Sequence, residues 1–164
     1  MNTVVLWFAQ GFGAGRIPLA PGTFGSLVGL LWFYILLRSG NFWIYLLGTL
    51  SGLALSVWVC GKAERILNQT DPGSIVLDEM AAMPLCFVVW QAAPSTLLGP
   101  WQREDWRVIA LLFLLFRIMD IAKPWPIRHS QKLPDGWGVT IDDALAAIYV
   151  AALSAIPLLW NAVA

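Results

Sequence analysis

The sequence predicts an all-α integral membrane protein, a helical bundle of about five membrane-embedded helices, some short, forming a single domain over residues 1–164. Three observations predict it. Of the 164 residues, 59% are hydrophobic and only 12% charged, whereas soluble domains average about 45–50% apolar and about 25% charged. The mean hydropathy is +0.70. Ten tryptophans suit a protein with many positions at membrane–water interfaces. The formal net charge is zero, which points away from a nucleic-acid partner, and no feature calls for a protein partner.

Five apolar segments follow in order. "FGSLVGLLWFYILL" runs 24–37 and is short. "FWIYLLGTLSGLALSVWVC", 42–60, carries no charge and would span roughly 28 Å at the helical rise, close to a bilayer core. "MAAMPLCFVVWQAAPSTLLG", 80–99, contains Pro84 and Pro94, which membrane helices tolerate where neighbours satisfy the freed carbonyls. "WRVIALLFLLFRIM", 106–119, is again short. "ALAAIYVAALSAIPLLW" closes the set at 144–160. The short pair needs a thin local bilayer, snorkelling flanks or packing within the bundle.

Counting these five places 1–23, 61–79 and 120–143 on one side. That side, segment ends included, carries Arg16, Lys62, Arg65, Arg117, Lys123, Arg128 and Lys132. The other carries Arg38, Arg103 and Arg107. Seven against three makes the first side cytoplasmic. The apolar N-terminal run has no Lys or Arg before it, so it lacks the charged start of a signal peptide and is expected to be retained. Cys60 and Cys86 match neither a metal spacing nor a disulfide framework and read as packing residues.

Acidic residues set no topology, yet Glu64, Asp71, Asp78, Glu79, Asp120, Asp135, Asp142 and Asp143 all fall on the first side. Adjacent carboxylates repel, so Asp78–Glu79 and Asp142–Asp143 at the mouths of apolar segments need a positive partner. Helix-end effects account for one acid of each pair. Asp78 or Glu79 suits a first helical turn, and Thr140 with Asp143 fits a capping box. Neither accounts for the second acid. Hard oxygen ligands without Cys or His favour Mg²⁺ over zinc. Among the candidate ligands Asp78, Glu79, Asp142 and Asp143, one of each pair can face a metal while its neighbour takes a second metal, a water or a basic residue. Asp71 and Asp120 are further carboxylates on the same side.

"GFGAGRIPLAPGTFGS", 11–26, reads either as a loop whose backbone approaches a phosphate or as a turn with Thr23 or Ser26 as an N-cap. It has neither a Walker A lysine nor a preceding strand. Arg16, Lys123 and Arg128 supply positive charge for an anion. Arg117, Asp120 and Lys123 share one helical face, where Arg117 reads as a salt-bridged helix end. His129, the sole histidine, cannot form a zinc site alone and reads as an interfacial residue. Carboxylates, magnesium, a glycine loop and bases together describe phosphoryl chemistry.

The blocks "GFGAGRIPLAPGTFGSL", "DPGSIVLDE" and "FRIMDIAKPWPIR…GWGVTIDDALA" resemble, in order, those of the phosphatidylglycerophosphatase A family of bacterial inner-membrane lipid phosphatases. The resemblance implies Mg²⁺-dependent hydrolysis of phosphatidylglycerophosphate to phosphatidylglycerol and phosphate, at a site facing the cytoplasm. Carried over position by position, it places Asp71, Ser74, Asp78, Glu79, Asp120, Lys123, Arg128, Asp142 and Asp143 in the site, with Thr23 and Ser26 in the first loop. It assigns neither Arg16 nor His129. Glycine is usual in that family where Ala82 and Ala147 stand. With no Ser, Cys or His nucleophile beside a paired base, direct attack by water is expected.

Two other readings compete. A membrane phosphatidyltransferase also uses paired acids and Mg²⁺, and "PDGWGVT" begins like its motif, but the arginine and later spaced aspartates are missing. A cation transporter with an acidic site would want its carboxylates deep within the apolar segments.

Overall fold

A computed structural model of the chain describes residues 2–98 and 103–163, with side-chain environments through Leu158. Gly99, the last residue of the third apolar segment, lies outside the described residues. Every regular element among the described residues is helical. The helices are α1 (Asn2–Ala9), α2 (Pro21–Leu37), α3 (Phe42–Leu67), α4 (Leu77–Ala82), α5 (Val88–Ala92), α6 (Trp106–Ala122), α7 (Ile127–Ser130) and α8 (Trp137–Val163). Two of them, α3 and α8, are long and apolar enough to cross a membrane.

Local chemistry sets most boundaries. Asn41 caps α3, its side chain accepting from the Trp43 and Ile44 amides at 2.8 and 3.2 Å. Asp105 caps α6 through the Arg107 amide at 2.9 Å. That helix ends at Lys123, whose φ of 43° is left-handed, because the proline that follows disfavours another α-helical residue before it.

Four expectations need correction. The glycine-rich stretch is not simply loop, since Gly11–Arg16 form a 3-10 helix. Neither Thr23 nor Ser26 caps α2; Ala20 holds that position with φ 49°, and Pro21 starts the helix where a missing N–H costs nothing. The third segment is not one continuous helix. It breaks into α4, a 3-10 stretch over Met83–Phe87, and α5, because Pro84 has no N–H to continue the ladder. Finally, α8 begins at Trp137 rather than at residue 144. Asp142 and Asp143 therefore lie inside the helix, and Thr140 is no capping residue: its hydroxyl meets Ser56 of α3 at 3.1 Å. Paired charges held against protein do not end a helix as charges facing hydrocarbon would.

The broken segment sits at the centre. Ala82, Met83, Cys86 and Phe87 are fully buried and pack with Phe33 of α2, Phe116 of α6 and Val150 of α8. Phe87 stacks on Phe33 with ring centroids 4.0 Å apart. The buried Tyr45 hydroxyl of α3 donates to the Pro84 carbonyl. Irregular backbone in an apolar setting survives only where protein supplies such partners. Ala82 and Ala147 are fully buried in this same core, so their methyl groups fill volume that a glycine would leave. Cys60 and Cys86 are buried free thiols. Large apolar side chains such as Leu31, Ile35, Leu47, Leu55 and Ile118 instead point outward from α2, α3 and α6.

Candidate active site

Five helix ends converge on one polar cluster: the starts of α2, α4 and α8 and the ends of α3 and α6. Asp78 and Glu79 stand in the first turn of α4. Asp142 and Asp143 lie in the second turn of α8, and both are 3% exposed. In each pair the first acid accepts the amide of the second. Asp78 Oδ1 takes the Glu79 N–H at 3.1 Å, and Asp142 Oδ1 takes the Asp143 N–H at 3.0 Å.

The two pairs are used differently: both acids of the first and one acid of the second meet in one cluster. Asp78, Glu79 and Asp143 each bring a carboxylate oxygen within 4.8 Å of the others. Asp142 stands beside this trio, and its Oδ2 is held by the Lys123 ammonium. Burial alone would pull the Lys123 ammonium down, but the hydrogen bond to Asp142 and the charges of Asp142 and Asp120 outweigh it.

The trio is short of positive charge. Burial, and then the neighbouring Glu79, push the Asp78 carboxyl well above the ordinary range. Burial pushes Glu79 up to about 7 despite the opposing Arg117. Among the described residues, Glu79 Oε2 is buried without a hydrogen-bond partner. A cation between these oxygens would supply the missing charge and the missing contact. The all-oxygen donor set fits a hard divalent metal.

Arg117, taken from sequence as a helix-end ion pair, is more central than that. It pairs with Asp120 at 2.8 Å, approaches Glu79 at 4.0 Å and donates to Ser26 Oγ at 3.2 Å. Ser26 in turn donates to the Gly22 carbonyl at 2.8 Å. A Cβ on Gly22 would stand 2.2 Å from Glu79 Oε1, so the start of α2 lies directly against the acids.

The glycine-rich stretch packs on the chain itself. A Cβ on Gly15 would meet the Ser74 carbonyl oxygen at 2.0 Å, and one on Gly11 would meet Val76 and Met80 side chains at 2.8 Å. Only Gly13 faces open space. Gln10 links the two loops, its amide reaching Ser74 Oγ at 3.4 Å while its Oε1 accepts from Arg16 Nε at 2.7 Å. Arg16 and Ser74 are thus joined through a residue the sequence did not single out. Thr23 follows Gly22 and is half-buried. Asp71 is exposed and accepts from Gln131 at 3.3 Å. Arg128 and His129 are exposed on α7.

Glu64 also escaped the sequence reading. One of its oxygens accepts the Asp71 amide at 2.9 Å and the other the Gly136 amide at 2.8 Å. It therefore ties the end of α3 to the loop before α4 and to the start of α8. Glu64→Ala is expected to lower turnover on the order of tenfold to a hundredfold with little change in KM, and Glu64→Gln, which keeps one acceptor, to lose less. Steady-state kinetics on the purified variants check this.

A family model described as phosphatidylglycerophosphatase A matches residues 7–157. The chain belongs to the phosphatidylglycerophosphatase A family. Within it, a Haemophilus influenzae protein named phosphatidylglycerophosphatase A is 42% identical over 142 residues, covering 86% of this chain and 80% of the relative. The Escherichia coli protein of that name is 34% identical over 146 residues, covering 88% and 78%. A Bacteroides thetaiotaomicron protein provisionally named a phosphatidylinositol-3-phosphatase is 35% identical over 147 residues, covering 85% and 84%. No solved structure matches the chain. Family membership sets aside the phosphatidyltransferase and transporter readings, and the geometry agrees. Asp135 of "PDGWGVT" is exposed and paired with Arg65 at 2.9 Å, and the acids gather toward one end of the bundle.

Proposed function

We propose that this chain is a phosphatidylglycerophosphate phosphatase, releasing phosphatidylglycerol and inorganic phosphate with Mg²⁺ as cofactor. The observation that carries the proposal is the Asp78–Glu79–Asp143 trio, with its buried and unpartnered Glu79 oxygen. Mg²⁺ would be held by these three carboxylates and would polarise a phosphoryl oxygen and acidify a bound water.

The chain's own residues do the rest. Lys123, fixed by Asp142, and Arg128, exposed on α7, offer positive charge to phosphate oxygens as charge redistributes. Arg117 holds Asp120 and faces Glu79, which keeps the acids apart and oriented. One carboxylate outside the trio, Asp71 or Asp120, takes the proton of the attacking water in this reading. The new bond joins water oxygen to phosphorus, the bond from phosphorus to the glycerol oxygen breaks, and that oxygen takes up the proton removed from water and leaves as the alcohol. Arg16, Thr23, Ser26 and Ser74 are the further residues proposed to contact the phosphate.

The setting proposed is a multi-pass bacterial inner-membrane protein with this cluster at the cytoplasmic face. The excess of Lys and Arg on the cluster's side supports that orientation, and the outward apolar side chains support a lipid surround. The acyl chains then stay in the bilayer while the headgroup reaches the acids.

Phosphate release from phosphatidylglycerophosphate by the detergent-purified protein tests the reading. Release is expected with Mg²⁺ and loss is expected with chelator. Folded protein inactive under both conditions, or equally active with chelator, would refute it. Parallel assay of phosphatidylinositol-3-phosphate separates the two lipid phosphates named among the relatives.

A further inference from the structure

Helix α8 has a second face. Trp137, Thr140, Ile141 and Ala144 recur at three- and four-residue spacing and form one stripe, while Asp142, Asp143, Ala146 and Ala147 project from the other side. The first stripe and the facing surface of α3 enclose a groove of about 670 Å³. Leu53 and Val57 of α3 and Ile141 and Ala144 of α8 make its walls apolar. Lys62, Arg65 and Asp135 line its charged end, at the same end of the bundle as the acid trio.

That charged end is cationic on balance. Arg65 is bonded to Asp135, and both side chains are more than half exposed. The Lys62 ammonium lies 3.7 Å from the centre of the Trp58 ring and has no acidic partner among the described residues. Glu64, the nearest acid in sequence, is turned away onto the Asp71 and Gly136 amides. Trp58 and Trp137, 57% and 52% exposed, flank the same level, as tryptophans do at a membrane interface.

We propose that this groove binds a second lipid, an anionic phospholipid distinct from the molecule being hydrolysed, with an acyl chain between α3 and α8 and its phosphate at Lys62 and Arg65. The proposal rests on the membrane setting above and goes beyond it. An apolar slot between the two membrane-length helices, closed at one end by cations, matches a lipid of that charge. A zwitterionic lipid gains the slot but less from the cations.

The test uses the full chain, stripped of lipid in detergent and then exposed to phosphatidylglycerol or phosphatidylcholine in mixed micelles. Native mass spectrometry reads the retained lipid. Wild type is expected to retain phosphatidylglycerol in preference. Lys62→Glu should reduce that retention by about fivefold or more, the scale of one interfacial charge. Ala54→Trp, which fills the slot from an exposed position, should reduce retention of both lipids. Mg²⁺-dependent phosphate release by each variant shows that it is folded. If the protein lacks phosphatase activity altogether, lipid retention still reads the groove, with the circular dichroism spectrum reporting folding. Equal retention by wild type and both variants overturns the proposal. So does retention that survives Lys62→Glu and Ala54→Trp but is lost on Asp143→Asn, because the lipid would then sit at the acid trio.

Discussion

Asp143→Asn is expected to abolish most phosphate release while leaving the chain folded and inserted. Asp143 is the member of the trio that comes from α8, and the other two come from α4. Removing its charge takes away the trio's contribution from α8, through which a cation would join these two helices. The loss should be on the order of 10²–10³-fold in kcat, the scale seen when one preorganised electrostatic group is removed from a reacting centre. A second readout separates a metal ligand from a structural acid. In chelator, wild type holds three crowded carboxylates with Arg117, beside Glu79, as their only ion-pair partner among the described residues, so Asp143→Asn should melt at a higher temperature than wild type. With Mg²⁺ present the order should narrow or reverse, because binding to the folded state stabilises wild type more. Activity within tenfold of wild type, or a lower melting temperature in chelator, would remove Asp143 from the proposed metal site. Asp142→Asn should behave differently, since it strands the Lys123 ammonium.

Gly136→Ala is expected to be the most damaging single-methyl change near the site. Gly136 has φ +79°, and a Cβ there would stand 2.3 Å from the Val57 oxygen and 2.4 Å from the Gly61 nitrogen of α3. The left-handed backbone costs an alanine roughly 1–2 kcal/mol. The contact adds to this because its partners are main-chain atoms of a helix and cannot rotate away. The start of α8 must then lift from α3, which also strains the Gly136 amide bond to Glu64. A drop in the melting midpoint of roughly 4–8 °C is expected for a chain of this size, with turnover reduced as well. Gly73→Ala is the control, since Gly73 has no atoms near its Cβ position. Its effect should stay within about 0.5 kcal/mol. Similar melting for the two variants would contradict the close α3–α8 contact.

The sequence made the helical class, four of the five apolar segments and most of the acid cluster legible, each for a physical reason. Long charge-free runs declare themselves by composition. Asp78–Glu79 and Asp142–Asp143 declare themselves because side-by-side acids beside apolar segments are costly. The sequence hid what depends on tertiary partners. The break at Pro84 was visible as a proline, but whether the helix kinks or stops depends on donors such as Tyr45. The start of α8 lies ahead of the uncharged run because Lys123 and the surrounding protein accommodate Asp142 and Asp143 inside the helix. Glu64 and Gln10 looked like ordinary polar residues, and only the loops they grasp give them a role. Arg117 showed the spacing of an intrahelical pair and no sign of its approach to Glu79. The glycines of the first loop suggest freedom near a ligand. Most of that freedom is used where Ser74–Met80 comes close.

The interruption of the central segment has a mechanical consequence in the proposed membrane. Bilayers differ in thickness, and helices that face lipid answer by tilting. Residues Ala82–Phe87 face protein instead, and the short α4 ahead of them carries Asp78 and Glu79. Thinning or stretching of the surrounding lipid would reach those carboxylates only second-hand, through the helices that encircle them. The reacting centre is thereby cushioned from its solvent, and its geometry should vary less with host membrane than the tilt of α3 does.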